Sequence, residues 1–299
     1  MGLVEDDHSA EKIIENMLRV SYQGECGSYS HEAALAFFAD EFECLPFHAF
    51  EGVFDSVASG EVDYGLVPIE NSLVGSIHRN YDLSLKHDLM VVGERNQRII
   101  HSLIALPNVT LKDIQHVYSH AVALEQCQHF LDGHPEYKAV ASYDTAGAVK
   151  MLKEGNLTQA AAIAGRYAAE YYGLPIIAEG IQDEPDNFTR FLILSKQAAE
   201  QTLPCKTSIV FALKNVPGSL FKALSVFALR DLDLTKIESR PLRKRVWEYY
   251  FYLDFVGHIS DEAAKNAINH LQEITTFLKI LGSYPVALSE KDEQSLSGK

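Results

Sequence analysis

The chain has 299 residues, 47% hydrophobic and 22% charged, the balance of a globular protein with room for two or three domains. Its 26 Lys and Arg against 41 Asp and Glu leave a net charge of −15, which argues against nucleic acid and anionic membrane as main partners and requires local Arg or Lys for any anionic substrate. Cys26, Cys44, Cys127 and Cys205 form no CxxC pair and read as free thiols, the twelve histidines form no HExxH pattern, and no apolar run reaches the length of a membrane span.

Met1 to Ala10, with Glu5, Asp6 and Asp7, has the pattern of neither a secretory signal nor an Arg-rich transit peptide. After a short charged helix, Met17 to Tyr22 predicts a first strand. Gly24 and Gly27 bracket a turn, and Ser28-Tyr29-Ser30 leads into a helix over Glu32 to Phe38. Such a turn offers backbone N–H groups to a carboxylate, or simply lets the chain turn tightly. Without a Gly-Lys-Ser/Thr ending it is not a nucleotide loop. Asp63 to Pro68 predicts a strand running into Ile69-Glu70-Asn71-Ser72, with Ser76 as N-cap of a helix over Ile77 to Lys86 and Leu89 to Val92 as a further strand. Ligands of α/β sheets bind beyond the carboxyl ends of strands, where Glu70, Asn71 and Ser72 fall. Taken alone, Glu70 reads equally as a surface carboxylate.

From about Gln97 the pattern restarts, with a strand over His101 to Leu106, a short helix over Leu111 to Gln115, a strand end at Val117 to Ser119 and a helix over Ala121 to Leu131. If Ser119 opens that helix, it and Gln126 share a face, being about two turns apart. Tyr137 to Ser142 predicts a strand. Asp144 and Thr145 cap a helix over Ala146 to Lys153, and Ala160 to Ala164, Arg166 to Tyr172 and Leu174 to Ala178 read as strand, helix and strand. The turn Asp183-Glu184-Pro185-Asp186 then delivers the chain into an apolar strand over Phe191 to Leu194, so Thr189 and Arg190 sit where a loop enters a strand. A hydroxyl beside a planar, five-donor cation suits an anionic substrate that loses or gains a proton, although Arg190 also has carboxylates nearby to pair with.

The alternation means α/β with mostly parallel sheets, and the restart divides a part spanning 17–197 into two lobes, 17–96 plus 180–197 and 97–179, with a cleft between them. Gln197 to Lys206 reads as a linker. Beyond it lie a strand over Thr207 to Lys214, a turn and helix start at Asn215-Val216-Pro217-Gly218-Ser219 and a helix over Leu220 to Leu229. Strands over Leu234 to Pro241 and Val246 to Val256 follow, joined by Arg243-Lys244-Arg245. A helix capped by Ser260 and a strand over Phe277 to Val286, interrupted by Gly282, close the pattern. The order over 206–287 is βαββαβ, the ferredoxin-like arrangement, and the tail from Ser289 is polar.

Five motifs in order now resemble one family: Tyr22-Gln23-Gly24 with Gly27-Ser28-Tyr29-Ser30; Pro68-Ile69-Glu70-Asn71-Ser72 with Gly75-Ser76; Ser119-His120 with Gln126; Asp144-Thr145-Ala146; and Asn187-Phe188-Thr189-Arg190-Phe191. Over about Arg19 to Ala287 the chain resembles the prephenate dehydratases and their relatives, the arogenate dehydratases. Thr235-Lys236-Ile237-Glu238-Ser239-Arg240-Pro241 is similar to the phenylalanine-binding signature of their regulatory ACT domain. The implied fold is α/β: a two-lobed periplasmic-binding-protein-like catalytic part plus an α+β ferredoxin-like (βαββαβ) ACT domain.

The resemblance implies decarboxylating dehydration of prephenate to phenylpyruvate, or of arogenate directly to phenylalanine, without a metal or organic cofactor. It places Thr189 at the leaving hydroxyl and Arg190 on a carboxylate, with Asn71, Ser119 and Gln126 as neutral donors. Glu70 is an orienting group, or a proton donor if burial raises its pKa. Tyr29, Ser30, Ser72, Ser76, Thr145 and Phe188 are substrate-binding candidates. L-Phenylalanine as effector is expected at Asn215, Pro217, Gly218, Ser219 and Leu220 of one chain facing Glu238, Ser239, Arg240 and Pro241 of another, in a homodimer or homotetramer. Many relatives have Gly-Ala-Leu-Val where this chain has Gly218-Ser219-Leu220-Phe221, which bears on the size of that effector pocket. The expected location is the cytoplasm, or the plastid if a transit peptide was removed. A rival from another class is a non-catalytic amino-acid sensor built on the same fold.

Overall fold

A computed structural model describes residues 17–38, 42–242 and 247–287. The charged segment ahead of Met17, the basic run Arg243-Lys244-Arg245 and the tail from Ser289 lie outside the described residues. The chain divides into two compact units: the residues up to Leu85 with Arg95–Phe191, and Lys86–Glu94 with the residues from Leu192.

The first sheet is built from β1 (Leu18–Gln23), β2 (Phe42–Phe47), β3 (Tyr64–Asn71), β4 (Gly75–Ser76) and β5 (Met90–Arg98). Interspersed with them are helices α1 (Tyr29–Phe38), α2 (Phe50–Ser59) and α3 (His78–Lys86). A second sheet follows from β6 (Ser102–Ala105), β7 (His116–His120), β8 (Lys138–Ser142), β9 (Ala160–Ala164) and β10 (Ile176–Glu179). Its helices are α4 (Ala121–Glu125), α5 (Gln128–Asp132), α6 (Thr145–Gly155) and α7 (Arg166–Tyr172). The chain then returns as β11 (Phe188–Ser195) to the first sheet, whose order is β2-β1-β3-β11-β5 with β4 on β3, while the second runs β10-β6-β9-β7-β8. All five residues of β9 are buried; four of them are alanine, and buried Ala146, Ala148 and Ala168 on α6 and α7 join the same core, where small side chains let helix and sheet backbones approach closely. Each fully buried Leu or Ile of that core, such as Leu103, Leu152 and Ile163, contributes about 1.5–3 kcal/mol of transfer free energy.

Several local expectations change. The chain holds two elements here that the pattern did not announce, strand β2 and helix α2; Pro46 disguised β2 and is tolerated because β2 is an edge strand, with ladder bonds on one side only. The second sheet is mixed rather than mostly parallel: β7 pairs parallel with β8 and β9, but β6 pairs antiparallel with β9 and β10. Ser76 does not cap a helix; it lies in β4 opposite Glu70. The helix expected over Ala121 to Leu131 is two short helices broken at Gln126–Cys127. Ser119 does not open it: β7 continues to pair with β8 through His120, and His120 is the N-cap of α4. Thr189 and Arg190 lie inside β11, which begins one residue earlier, at Phe188.

The second unit contains β12 (Cys205–Leu213), α8 (Ser219–Ala228), β13 (Leu234–Pro241), β14 (Tyr249–Val256), α9 (Glu262–Ile274) and β15 (Thr275–Pro285) in βαββαβ order. Its antiparallel sheet runs β13-β14-β12-β15, over a core of Ile209, Phe211, Phe227, Leu253, Phe255 and Leu271. Asp261, not Ser260, is the N-cap of α9; the Ser260 hydroxyl is taken up by His258 Nδ1 at 2.6 Å. The interruption at Gly282 is a register shift against β12. Gly282 has φ +156°, and a Cβ there would stand 2.1 Å from the Val91 carbonyl oxygen, so the backbone of β5 passes where any side chain would begin. The fold class is therefore the expected one, two α/β lobes followed by a ferredoxin-like module.

Candidate active site

β3 ends at Asn71 and its neighbour β11 begins at Phe188, so the sheet order sets two motifs far apart in sequence side by side. The Asn71 side chain joins them. Its Oδ1 accepts from the backbone N–H groups of Leu73 and Val74, both at 3.0 Å. Its Nδ2 donates to Asn187 Oδ1 at 2.7 Å, to the Phe188 carbonyl at 3.1 Å and to Thr189 Oγ1 at 3.0 Å. An amide nitrogen carries two hydrogens, so one serves Asn187 and the other is shared by Phe188 and Thr189. Thr189 thereby accepts, and its own hydrogen has no protein acceptor among the described residues.

The chain of amides continues across unit 1. Asn187, fully buried, donates from Nδ2 to Gln126 Oε1 at 3.1 Å, and the same oxygen faces His101 Nε2 at 2.9 Å. The other imidazole nitrogen, Nδ1, lies 2.9 Å from the Tyr29 hydroxyl, which also reaches the Ile100 carbonyl at 2.8 Å. Burial lowers the His101 pKa below its ordinary value, with the Gln126 contact opposing, and burial raises that of Tyr29 well above the ordinary phenol. Both side chains are therefore neutral near pH 7. The break between α4 and α5 is what turns Gln126 toward this group: the backbone carbonyl of Gln126 accepts from Asp183 N and the Asp183 carboxylate accepts from the N–H groups of Gln128 and His129.

The remaining candidates divide. Ser72 ties the start of β11 in place, its hydroxyl donating to the Asp186 carbonyl and accepting from Phe188 N. Arg98 stacks over the Phe188 ring, 5.9 Å from its centroid. Glu70 and Arg190 are half-buried on β3 and β11. Ser119 is not brought to this group: it is fully buried and its hydroxyl donates to the Ile163 carbonyl at 2.6 Å. Ser30 is buried on α1, and Ser76 lies opposite Glu70 in the β3–β4 hairpin. Thr145 is the first residue of α6, next to Asp144, which caps that helix by accepting from Gly147 N at 2.8 Å. Asp144, with a pKa raised by burial against its backbone donors, lines a cleft of about 330 Å³ together with Gln23, Gly24, His48 and Tyr143. That volume falls in the range of small-molecule sites, about 300–1,000 Å³.

Two residues of the amide chain escaped the sequence reading. Asn187 stood inside a motif but is an interior polar link rather than a surface group. His101 gave only the signal of a polar residue directly ahead of a strand whose four residues are all buried. In unit 2, Gly218 takes a left-handed conformation at φ +80° ahead of α8, with Asn215 and Pro217 exposed beside it, while Glu238 and Arg240 alternate with exposed Ser239 and Pro241 on the edge strand β13. Among the described residues no group of three or more His, Cys, Asp or Glu is placed to hold a metal, and no helix is long and apolar enough to cross a membrane.

A family model for prephenate dehydratase matches residues 20–199 and one for the ACT domain matches residues 207–271. Arogenate dehydratase/prephenate dehydratase 2, chloroplastic, of Arabidopsis thaliana is 47% identical over 283 residues, covering 90% of this chain and 73% of its own. Among solved structures, prephenate dehydratase of Arthrobacter aurescens in complex with L-Phe superposes with a TM-score of 0.82 at 30% identity, covering 94% of this chain and 96% of its own. GqqA, described as a novel type of quorum-quenching acylase, gives the same TM-score and identity over 90% of this chain and 98% of its own. With its motifs drawn together at the ends of β3 and β11 and both of its modules matched, the chain belongs to the prephenate dehydratase family.

Proposed function

We propose that this chain carries out the decarboxylating dehydration of prephenate to phenylpyruvate, in the supply of L-phenylalanine. The observation that carries the reading is the Asn71 amide donating to Thr189 Oγ1 at 3.0 Å, which leaves the Thr189 hydrogen to be given to a substrate. In the reaction the bond from the ring to its carboxylate breaks, its electron pair enters the ring, the ring C–O bond breaks, and the departing hydroxide takes a proton to leave as water beside carbon dioxide. Aromatisation drives it. A threonine hydroxyl is a weak acid, so Thr189 serves best as a positioned donor or a proton relay at the leaving oxygen. Arg190 would hold a carboxylate through its planar fork. Asn71 and Gln126 are neutral, which suits a step that disperses charge: a fixed cation on the departing carboxylate would favour the ground state as much as the transition state. Glu70 orients, and Ser72, Phe188 and Tyr29 hold the walls in place. Ser30, Ser76, Thr145 and Ser119 are candidates for substrate contact outside the amide chain.

The catalytic part would span 17–197, as lobes 17–96 plus 180–197 and 97–179, with the regulatory part at 206–287. L-Phenylalanine would act as effector at Asn215–Leu220 and Glu238–Pro241 of paired ACT domains in a homodimer or homotetramer; the Arthrobacter relative, solved with L-Phe, supports that reading. Binding would shift the balance between two quaternary states. Sedimentation and activity measured with and without L-phenylalanine test it; no change in either sinks it.

A second reading has an observation of its own. The Arabidopsis relative at 47% identity carries both activities in its name, arogenate first, and is named chloroplastic. Arogenate dehydration would give L-phenylalanine directly, and a plastid rather than a cytoplasmic location would go with it. Steady-state kcat/KM on prephenate and on arogenate, side by side with purified protein, decides between them, and fractionation of the source cells decides the compartment. The chain is an enzyme of the hydro-lyase class on either reading, and the amino-acid sensor does not stand against relatives that are dehydratases across nine-tenths of this chain.

A further inference from the structure

The amide chain has a direction, and the backbone sets it. The Asn71 side-chain atom facing Leu73 N and Val74 N must be the oxygen, because both neighbours are donors only. Its nitrogen therefore faces Asn187 and the Phe188 carbonyl, the second of which only accepts and so confirms the assignment. Asn187 must then present oxygen to Asn71 and nitrogen to Gln126. Gln126 must answer with its oxygen, and that same oxygen faces His101 Nε2. Two lone pairs cannot share a 2.9 Å contact, so Nε2 carries a hydrogen. In the neutral ring Nδ1 is then bare, and the partner at 2.9 Å is the Tyr29 hydroxyl, which supplies its hydrogen there while sharing it with the Ile100 carbonyl. The His101 backbone is itself pinned, its N–H donating to Gln182 Oε1 at 3.0 Å. One consequence concerns the far side of Gln126. With Oε1 held by two donors, the amide nitrogen has no protein partner among the described residues and is not a sealed, unsatisfied atom.

We propose that His101, kept in the Nε2–H tautomer by Gln126 Oε1, is a positioning residue for the dehydration. It clamps Gln126 Oε1 against Asn187, so that Gln126 turns its two N–H donors outward to substrate and Asn71 remains committed to Thr189. Tyr29 is then the far anchor of the chain. Releasing the clamp frees Gln126 to rotate, and an inverted Gln126 offers the substrate an acceptor where a donor is required. The inference rests on the dehydratase reading for its kinetic part only.

Two measurements test it. The first is the long-range proton–nitrogen NMR spectrum of ¹⁵N-histidine-labelled wild-type protein without substrate. The Nε2–H pattern is expected for His101, because Gln126 Oε1 accepts there, and it should persist in Tyr29→Phe; a wild-type ring with its hydrogen on Nδ1 alone overturns the proposal. The second is turnover of His101→Leu and His101→Gln. The leucine variant is expected to lose kcat by about 10- to 100-fold with KM changed much less, the scale seen when a partner behind a working ligand is removed. The glutamine variant, whose amide N–H reaches the place of Nε2, recovers most of it. Unchanged kcat in His101→Leu, or a His101→Gln enzyme no better than a folded His101→Leu, overturns the role. If the leucine variant does not fold, the tautomer and the glutamine variant still decide. Failure of the wild-type protein to turn over either substrate refutes the function and leaves the tautomer result standing.

Discussion

Asn71 and Thr189 are 118 positions apart in sequence, and the amide of one lies 3.0 Å from the hydroxyl of the other. The contact runs in one sense only, because Asn71 Oδ1 is already occupied by two backbone donors. Thr189→Val keeps the shape of the side chain and removes the hydroxyl. Its kcat should fall by about 100- to 1,000-fold, the range for losing a proton donor or a transition-state hydrogen bond, with a smaller change in KM. Circular dichroism establishes that the variant is folded, and near-normal turnover in a folded Thr189→Val enzyme would remove Thr189 from the chemistry.

Asn187 is a harsher case because it is fully buried between two partners. Asn187→Ala strands the Asn71 amide on one side and half of the acceptor capacity of Gln126 on the other. About 1–3 kcal/mol of stability should be lost, alongside most of the activity. Asn187→Asp should be worse at neutral pH, since it sets a carboxylate oxygen against Gln126 Oε1. Urea titrations of the three proteins check the order wild type, Ala, Asp.

Gly282→Ala should destabilise by roughly 2–4 kcal/mol, since it combines a backbone conformation unsuited to side chains with a clash against the Val91 carbonyl. The three atoms it would meet are all Val91 backbone, so relief requires moving a strand. A melting temperature within a degree of wild type would show that β5 yields at little cost.

His31 carries a pH dependence. Its ring stacks on Tyr22, with centroids 5.1 Å apart, its Nδ1 accepts from Gly27 N at 3.0 Å, and burial lowers its pKa to about 4. The unfolded state binds a proton below about pH 6.5 while the folded state refuses it until about 4. Stability from this group is therefore full above 6.5 and is lost as the pH falls toward 4, by an amount on the order of 2 kcal/mol. Denaturant midpoints of wild type and His31→Gln across that window should converge on acidification; parallel curves would show that His31 does not titrate there.

Most of the order of elements, the two-lobed plan, the ferredoxin-like module and the residue types at the strand ends were legible in the chain, because hydrophobic period, turn residues and caps act over a few neighbours. Even there, edge position hid β2: whether Pro46 breaks a strand depends on which strand lies beside it. The partnerships within the site were not legible. Spacing sets Ser119 and Gln126 on one helix face only if Ser119 opens the helix, but β7 runs on through His120 and turns the serine to Ile163, while a helix break turns the glutamine to Asn187 and His101. A hydrogen bond is made at about 3 Å, between groups set beside each other by sheet order and by the return of β11 to lie next to β3. Local sequence decides that Asn71 and Thr189 stand at the ends of strands, while the helix break at Gln126 is set by the fold. Only the packed structure decides which atom of each faces which, and hence that Thr189 keeps a hydrogen to give.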